Sequence, residues 1–309
     1  MRFVDGRARQ LEQLGDIASR LPARLDALTG PWRAATGWIC TGIGASAAVA
    51  DATADRLRRN GIAAVSLPPG DVPAFAAGTG WPVLLVSQSG RSAELVATAQ
   101  AIPGGRGLAL TNAVAPPLAA AAGEAVDAGG LADSRASTVG FTALLVAGHV
   151  FADWCAGVAT DLPAPVGKPL PATDAASLSF VDVVADPDLL PAAEYGALII
   201  REVGRIRAEA LETRRYLHGP MESAPGGLTV LAGGERLDRV AAQLAAGPAP
   251  APVLRWAVAG DPLAGQLLVA QGLQEIAARV AAYRGIEPDE FVYDQEDTKL
   301  STIDERKSS

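Results

Sequence analysis

Cysteine, histidine and methionine each occur only twice in this 309-residue chain, and aromatic residues make up 5% of it. The two cysteines, Cys40 and Cys155, lie far apart without metal-ligand spacing. That excludes a disulfide framework and a cysteine-based metal centre, and it predicts two buried thiols, no bound metal and a cytoplasmic setting. No apolar run reaches the roughly 18 residues that a membrane-spanning helix needs. The opening Met1-Arg2-Phe3-Val4-Asp5-Gly6-Arg7 lacks the apolar core of a signal peptide, so no membrane partner is expected. A formal net charge of −8 argues against nucleic acid as a general partner. An anionic ligand would therefore need a local site strong enough to overcome the overall field.

What is abundant is apolar: 49% of residues are hydrophobic, enough for substantial cores. The stretch Val83-Leu84-Leu85-Val86 reads as a short buried strand, followed by the turn Ser87-Gln88-Ser89-Gly90-Arg91-Ser92 and a helix from Ala93. A turn from a parallel strand into a helix N-terminus directs backbone N–H groups and the positive end of the helix dipole outward. Serine hydroxyls and a glutamine amide add donors, and Gly90 allows close backbone approach, so the turn suits a phosphate. The same residues are also ordinary loop formers.

Similar strand-to-helix steps recur. Strands are expected at 37–40, 63–67, 83–86, 107–112 and 124–129, and again at 180–184, 228–231 and 254–258. The alternation predicts an α/β protein of two tandem doubly wound parallel-sheet domains, each a three-layer αβα sandwich, with ligands at the carboxyl ends of the strands. Leu11, Leu14, Ile17, Leu21 and Leu25 place an amphipathic helix over 5–28. The expected organisation is an N-terminal helical segment (1–34), a first domain (35–160), a proline-rich linker (161–175), a second domain (176–290) and a polar tail (291–309).

Thr41-Gly42-Ile43-Gly44-Ala45-Ser46 begins like a dinucleotide fingerprint. It lacks the third glycine, and no acidic residue ends the second strand, so a nucleotide-binding reading fails and no cofactor is implied. Between the strands of the second half, Glu202 and Glu209 are expected on one face of a long helix that Gly219-Pro220 ends after His218. A helix face with Glu/Arg pairs is equally a solvated face. His149 lies in an apolar helix and is expected to be packed, which leaves His218 as the histidine available for chemistry.

The turn Ser87-Gln88-Ser89-Gly90-x-Ser92 resembles the phosphosugar loop of sugar isomerase (SIS) domains. The fuller resemblance is to the isomerase half of the glucosamine–fructose-6-phosphate aminotransferase family. It covers most of the chain, strongly in the first half and in the second mainly at Arg201-Glu202, Ala208-Glu209-Ala210, His218-Gly219-Pro220 and the tail around Lys299. The resemblance implies that Ser87, Gln88, Ser89 and Ser92 hold a sugar phosphate. It also places Ser46 and Ser137 against the substrate, the latter within Ala136-Ser137-Thr138. By the same resemblance Glu202 is the enolisation base, His218 opens the ring from the neighbouring subunit of a homodimer, and Lys299 contacts the sugar.

Aldose–ketose interconversion needs one carboxylate that moves a proton between C2 and C1, an acid/base for ring opening, and a donor near the developing enolate. Two positions depart from the family. Arg91 stands where an acidic residue is usual, and Ile199 replaces a helix lysine. No glutaminase segment is present, so glutamine is not the expected amide donor. The resulting expectation is a phosphosugar isomerase or an amino-sugar-phosphate deaminase or deglycase. The alternative is a non-catalytic phosphosugar sensor.

Overall fold

The computed structural model describes residues 1–162, 178–247, 249, 251–294 and 298–300, so most of the expected linker and tail positions 295–297 and 301–309 lie outside the described residues. Packing divides the chain into two units. One comprises Arg9–Asp133, Val139–Asp161 and the tail from Val292. The other comprises Met1–Ala8, Ser134–Thr138 and Leu162–Phe291.

The first unit is built on strands β1 (Gly37–Thr41), β2 (Ala63–Ser66), β3 (Val83–Ser87), β4 (Gly107–Thr111) and β5 (Gly123–Asp127), all parallel, in the order β2-β1-β3-β4-β5. Every residue of β1, β3 and β4 is buried. That is why these strands read as continuous apolar runs rather than alternating ones: helices cover both faces of the sheet. On one face Ile39, Val83 and Leu85 pack with Leu95, Leu118 and Val72 from the connecting helices. In the helix Val139–Ala156, Phe151 meets Trp38 of β1 edge to face, with centroids 4.8 Å apart. A buried carboxylate ties that helix to the helix Ala45–Arg59. Asp153 accepts hydrogen bonds from Arg56 Nε (2.7 Å) and Nη2 (3.0 Å) and from Asn60 Nδ2 (2.8 Å).

Two expectations change here. The helix Val139–Ala156 is long and apolar enough to span a bilayer, but it is a core helix with 89% of its length buried. The helix expected over 5–28 is two, Phe3–Arg9 and Leu14–Asp26. Leu14, Ile17, Leu21 and Leu25 are buried as the periodicity requires, whereas Phe3 packs within the other unit, so no common face holds one continuous helix.

The second unit carries β6 (Phe180–Ala185), β7 (Arg207–Glu212), β8 (Leu228–Gly233) and β9 (Val253–Ala257), parallel, in the order β7-β6-β8-β9. The long helix expected before His218 is not formed. The helix Leu190–Gly204 stops where Arg205 takes a left-handed conformation (φ 51°), the chain becomes β7, and the short helix Thr213–Leu217 follows. Glu202 is therefore helical while Glu209 is on a strand, and the two share no helix face. The segment Arg-Ala-Glu-Ala-Leu-Glu favours helix by propensity. Pairing of Ala208 and Leu211 against β6 overrides it, with charged residues facing out on an edge strand.

Candidate functional site

In a parallel sheet of this order, β1 and β3 are the neighbours whose connections leave in opposite directions, and a crevice opens beyond their carboxyl ends. The two loops singled out in the sequence both end there. The Gln88 N–H donates to Ser46 Oγ at 3.3 Å, linking the loop after β3 to the first turn of the helix after β1. Ser46 and Ser87 are buried, and Gln88, Ser89 and Ser92 are half-buried.

Within the loop the serines organise the backbone. Ser87 Oγ accepts the Gly90 N–H at 3.0 Å, Ser89 Oγ accepts the Arg91 N–H at 3.3 Å, and the Ser87 and Ser92 hydroxyls stand 3.5 Å apart. Ser92 is the N-cap of the helix Ala93–Ala101, yet its side chain does not cap it. The N-cap side chain thus leaves the positive end of that helix uncapped, an arrangement suited to an anion. Gly90 has φ 61°, and a Cβ there would lie 2.3 Å from Pro116 Cγ, so no other residue fits.

Of the described tail residues, Lys299 and Leu300 lie against this loop. Lys299 pairs with Ser92 in an isolated antiparallel bridge, and the Leu300 N–H donates to the Arg91 carbonyl at 2.9 Å. The Lys299 expected from the tail is thus beside the Ser-Gln-Ser turn, within the same unit.

No family model matches the chain, and no curated protein matches it. Solved structures do. The C-terminal domain of glucosamine-fructose-6-phosphate aminotransferase from Francisella tularensis superposes with a TM-score of 0.72 at 16% identity, covering 93% of this chain and 97% of that one. Glucosamine-6-phosphate deaminase from Thermotoga maritima gives 0.71 at 17% identity over 94% and 100%. Tagatose-6-phosphate ketose/aldose isomerase from Escherichia coli gives 0.65 at 18% identity over 94% and 97%. The chain has the tandem sugar isomerase fold.

In the second sheet of this sugar isomerase fold, the loops after β6 and β8 are joined at the carboxyl ends of the strands by a carboxylate. Asp186 Oδ2 accepts the Gly234 N–H at 2.7 Å, and Oδ1 accepts the Thr213 hydroxyl at 3.0 Å. Glu202 is half-buried in the last turn of the helix Leu190–Gly204. His218 is exposed at the C-cap of the helix Thr213–Leu217, whose N-terminus Glu212 caps through the Arg214 and Arg215 N–H groups.

Ser137 is half-buried and counted in the second unit, where its carbonyl accepts the Tyr195 hydroxyl at 2.7 Å. The N–H groups that open the helix after it, those of Val139 and Gly140, are accepted by the Asp133 carboxylate. Ile199 is fully buried, so the position of the family's helix lysine is a core position here. His149 is packed, its Nδ1 2.9 Å from the Leu145 carbonyl. Burial raises both thiols, that of Cys155 to about 12, which leaves neither as a nucleophile near neutral pH.

Sequence reasoning missed three polar groups: Asp153 and Asp186, already described, and Asp182 on β6. Asp182 lies in register with Glu209 of β7 and Thr229 of β8, and its Oδ2 is buried without a hydrogen-bond partner among the described residues. Burial, and next the charge of Glu209, raise its carboxyl to about 6. Nothing in periodicity signals such a residue, because a lone aspartate in a strand reads as a solvent-facing position.

Proposed function

We propose that this protein is a phosphosugar isomerase or an amino-sugar-phosphate deaminase or deglycase. The observation that carries the reading is the Ser46–Gln88 link at the β1/β3 crevice, in front of a helix N-terminus with no side-chain cap. Ser87, Gln88, Ser89 and Ser92 hold the phosphate, with Ser46 and Ser137 as further substrate contacts. Glu202 takes the proton from C2 and returns it at C1 through an enediol or enolamine. His218 opens the ring, and Lys299 closes the site. The working unit is a cytoplasmic homodimer. The three solved structures named above are an aminotransferase domain, a deaminase and an isomerase of 6-phosphorylated sugars, which supports this substrate class.

One observation favours a second reading, a phosphosugar sensor without turnover. Ile199 seals in the core the position at which the aminotransferase family carries a lysine. The two readings separate in an assay of fructose 6-phosphate, glucosamine 6-phosphate and tagatose 6-phosphate with product analysis. Turnover that Glu202→Gln reduces by roughly 100-fold or more, with binding retained, supports the enzyme. Binding by the wild type without turnover of any of the three supports the sensor.

A further inference from the structure

Arg91, the residue that departs from the usual loop pattern, is engaged with the tail. Its Nη2 donates to the Leu300 carbonyl at 2.5 Å, while its own carbonyl accepts the Leu300 N–H at 2.9 Å. One loop residue thus holds both backbone groups of one tail residue. The adjacent pair, Ser92 and Lys299, forms the antiparallel bridge, and the Leu300 side chain packs against the apolar cluster of Val83, Leu85 and Leu95. A guanidinium can make this contact because it is planar, permanently charged and rich in donors. A carboxylate at position 91 has no N–H to offer the Leu300 carbonyl.

We propose that Arg91 is a positioning residue: it clasps Leu300 to the phosphate loop and thereby fixes Lys299 opposite Ser92, and it is not itself a phosphate ligand. This rests on the reading of the loop and Lys299 as parts of a phosphosugar site. The function it assigns to Arg91 is the setting of the ammonium. A charge-assisted hydrogen bond is directional, so its loss frees the tail residue rather than the loop. The loop's own serine-to-backbone bonds do not involve the guanidinium and persist without it.

The test is a double-mutant cycle with Arg91→Ala and Lys299→Ala, read as the Kd for glucosamine 6-phosphate and for inorganic phosphate, with amide exchange at Leu300 as a readout independent of turnover. Arg91→Ala is expected to weaken glucosamine 6-phosphate binding roughly 5- to 30-fold. It leaves inorganic phosphate affinity unchanged and speeds exchange of the Leu300 amide. In the Lys299→Ala background the same substitution has little further effect, because the two act through one contact. Arg91→Lys restores part of the loss, since an ammonium keeps one donor for the Leu300 carbonyl.

Three results overturn the proposal: equal effects of Arg91→Ala with and without Lys299, loss of inorganic phosphate affinity, or unchanged exchange at Leu300. If the phosphosugar reading itself fails, the wild type binds neither probe. The Leu300 exchange then still reports whether Arg91 holds the tail.

Discussion

Ser46 and Gln88, 42 positions apart in sequence, are joined by a hydrogen bond from the Gln88 N–H to the Ser46 hydroxyl at 3.3 Å. The bond fixes the loop after β3 against the helix after β1, on the two strands that flank the crevice of the first sheet. Ser46→Ala removes the acceptor while leaving a small residue in a helix that tolerates alanine. The expected outcome is a roughly 3- to 10-fold loss of fructose 6-phosphate affinity with little change in Tm, measured by calorimetric titration and thermal unfolding.

Gly90→Ala tests the turn itself. The substitution places a Cβ against Pro116 at a position with φ 61°. Loop distortion or strain of about 1–3 kcal/mol follows, and phosphate binding falls with it. Intact binding of inorganic phosphate by Gly90→Ala in a filter or calorimetric assay would count against this loop as the anion site.

Asp153 anchors two helices through a fully buried carboxylate that accepts from Arg56 and Asn60. Asp153→Ala removes the carboxylate to which Arg56 donates in a partly enclosed site. Stability in urea is expected to drop by about 3 kcal/mol, the low end for a broken buried pair because Arg56 keeps some access to water.

Asp182 gives a pH dependence whose sign is opposite to that of a salt-bridged carboxylate. Its carboxyl rises from 3.8 to about 6 on folding, so the folded chain binds the proton more tightly than the unfolded chain. Stability from this group is therefore full below pH 3.8, is lost as the pH climbs to about 6, and is then flat. Asp182→Asn removes the dependence and is expected to raise stability at pH 7.5 by at most about 3 kcal/mol, the equivalent of the shift. Denaturant unfolding across pH 4–8 for both proteins reads the difference directly.

Asp186 leads to a stoichiometry. Its carboxylate takes the Gly234 N–H and the Thr213 hydroxyl at the carboxyl ends of β6 and β8, donors that an anion would otherwise use. The wild type is expected to bind one phosphosugar per chain. Asp186→Ala strips the Gly234 N–H of its acceptor while the Thr213 hydroxyl keeps the Ala185 carbonyl at 3.1 Å; it costs about 1–3 kcal/mol and makes Tm more responsive to added sulfate than in the wild type. Two equivalents of phosphosugar bound by the wild type would sink this account.

The amino-acid sequence alone determined the parallel α/β class, because strands buried on both faces must be continuously apolar, as Val83–Val86 and Leu108–Leu110 are. It also marked the strand-to-helix step across Ser87–Ser92, since such a turn is local and its residues are consecutive. It misjudged residues 205–212, where helix-favouring composition yields to pairing with β6, because edge-strand formation depends on a partner distant in sequence. Only the tertiary structure decided that Arg91 faces the tail, that Asp186 ties Gly234 to Thr213, that Asp182 lies beside Glu209 and that Ile199 is core. Each of these depends on contacts between residues far apart or on neighbouring strands, and contacts of that kind leave no period in the sequence to be read.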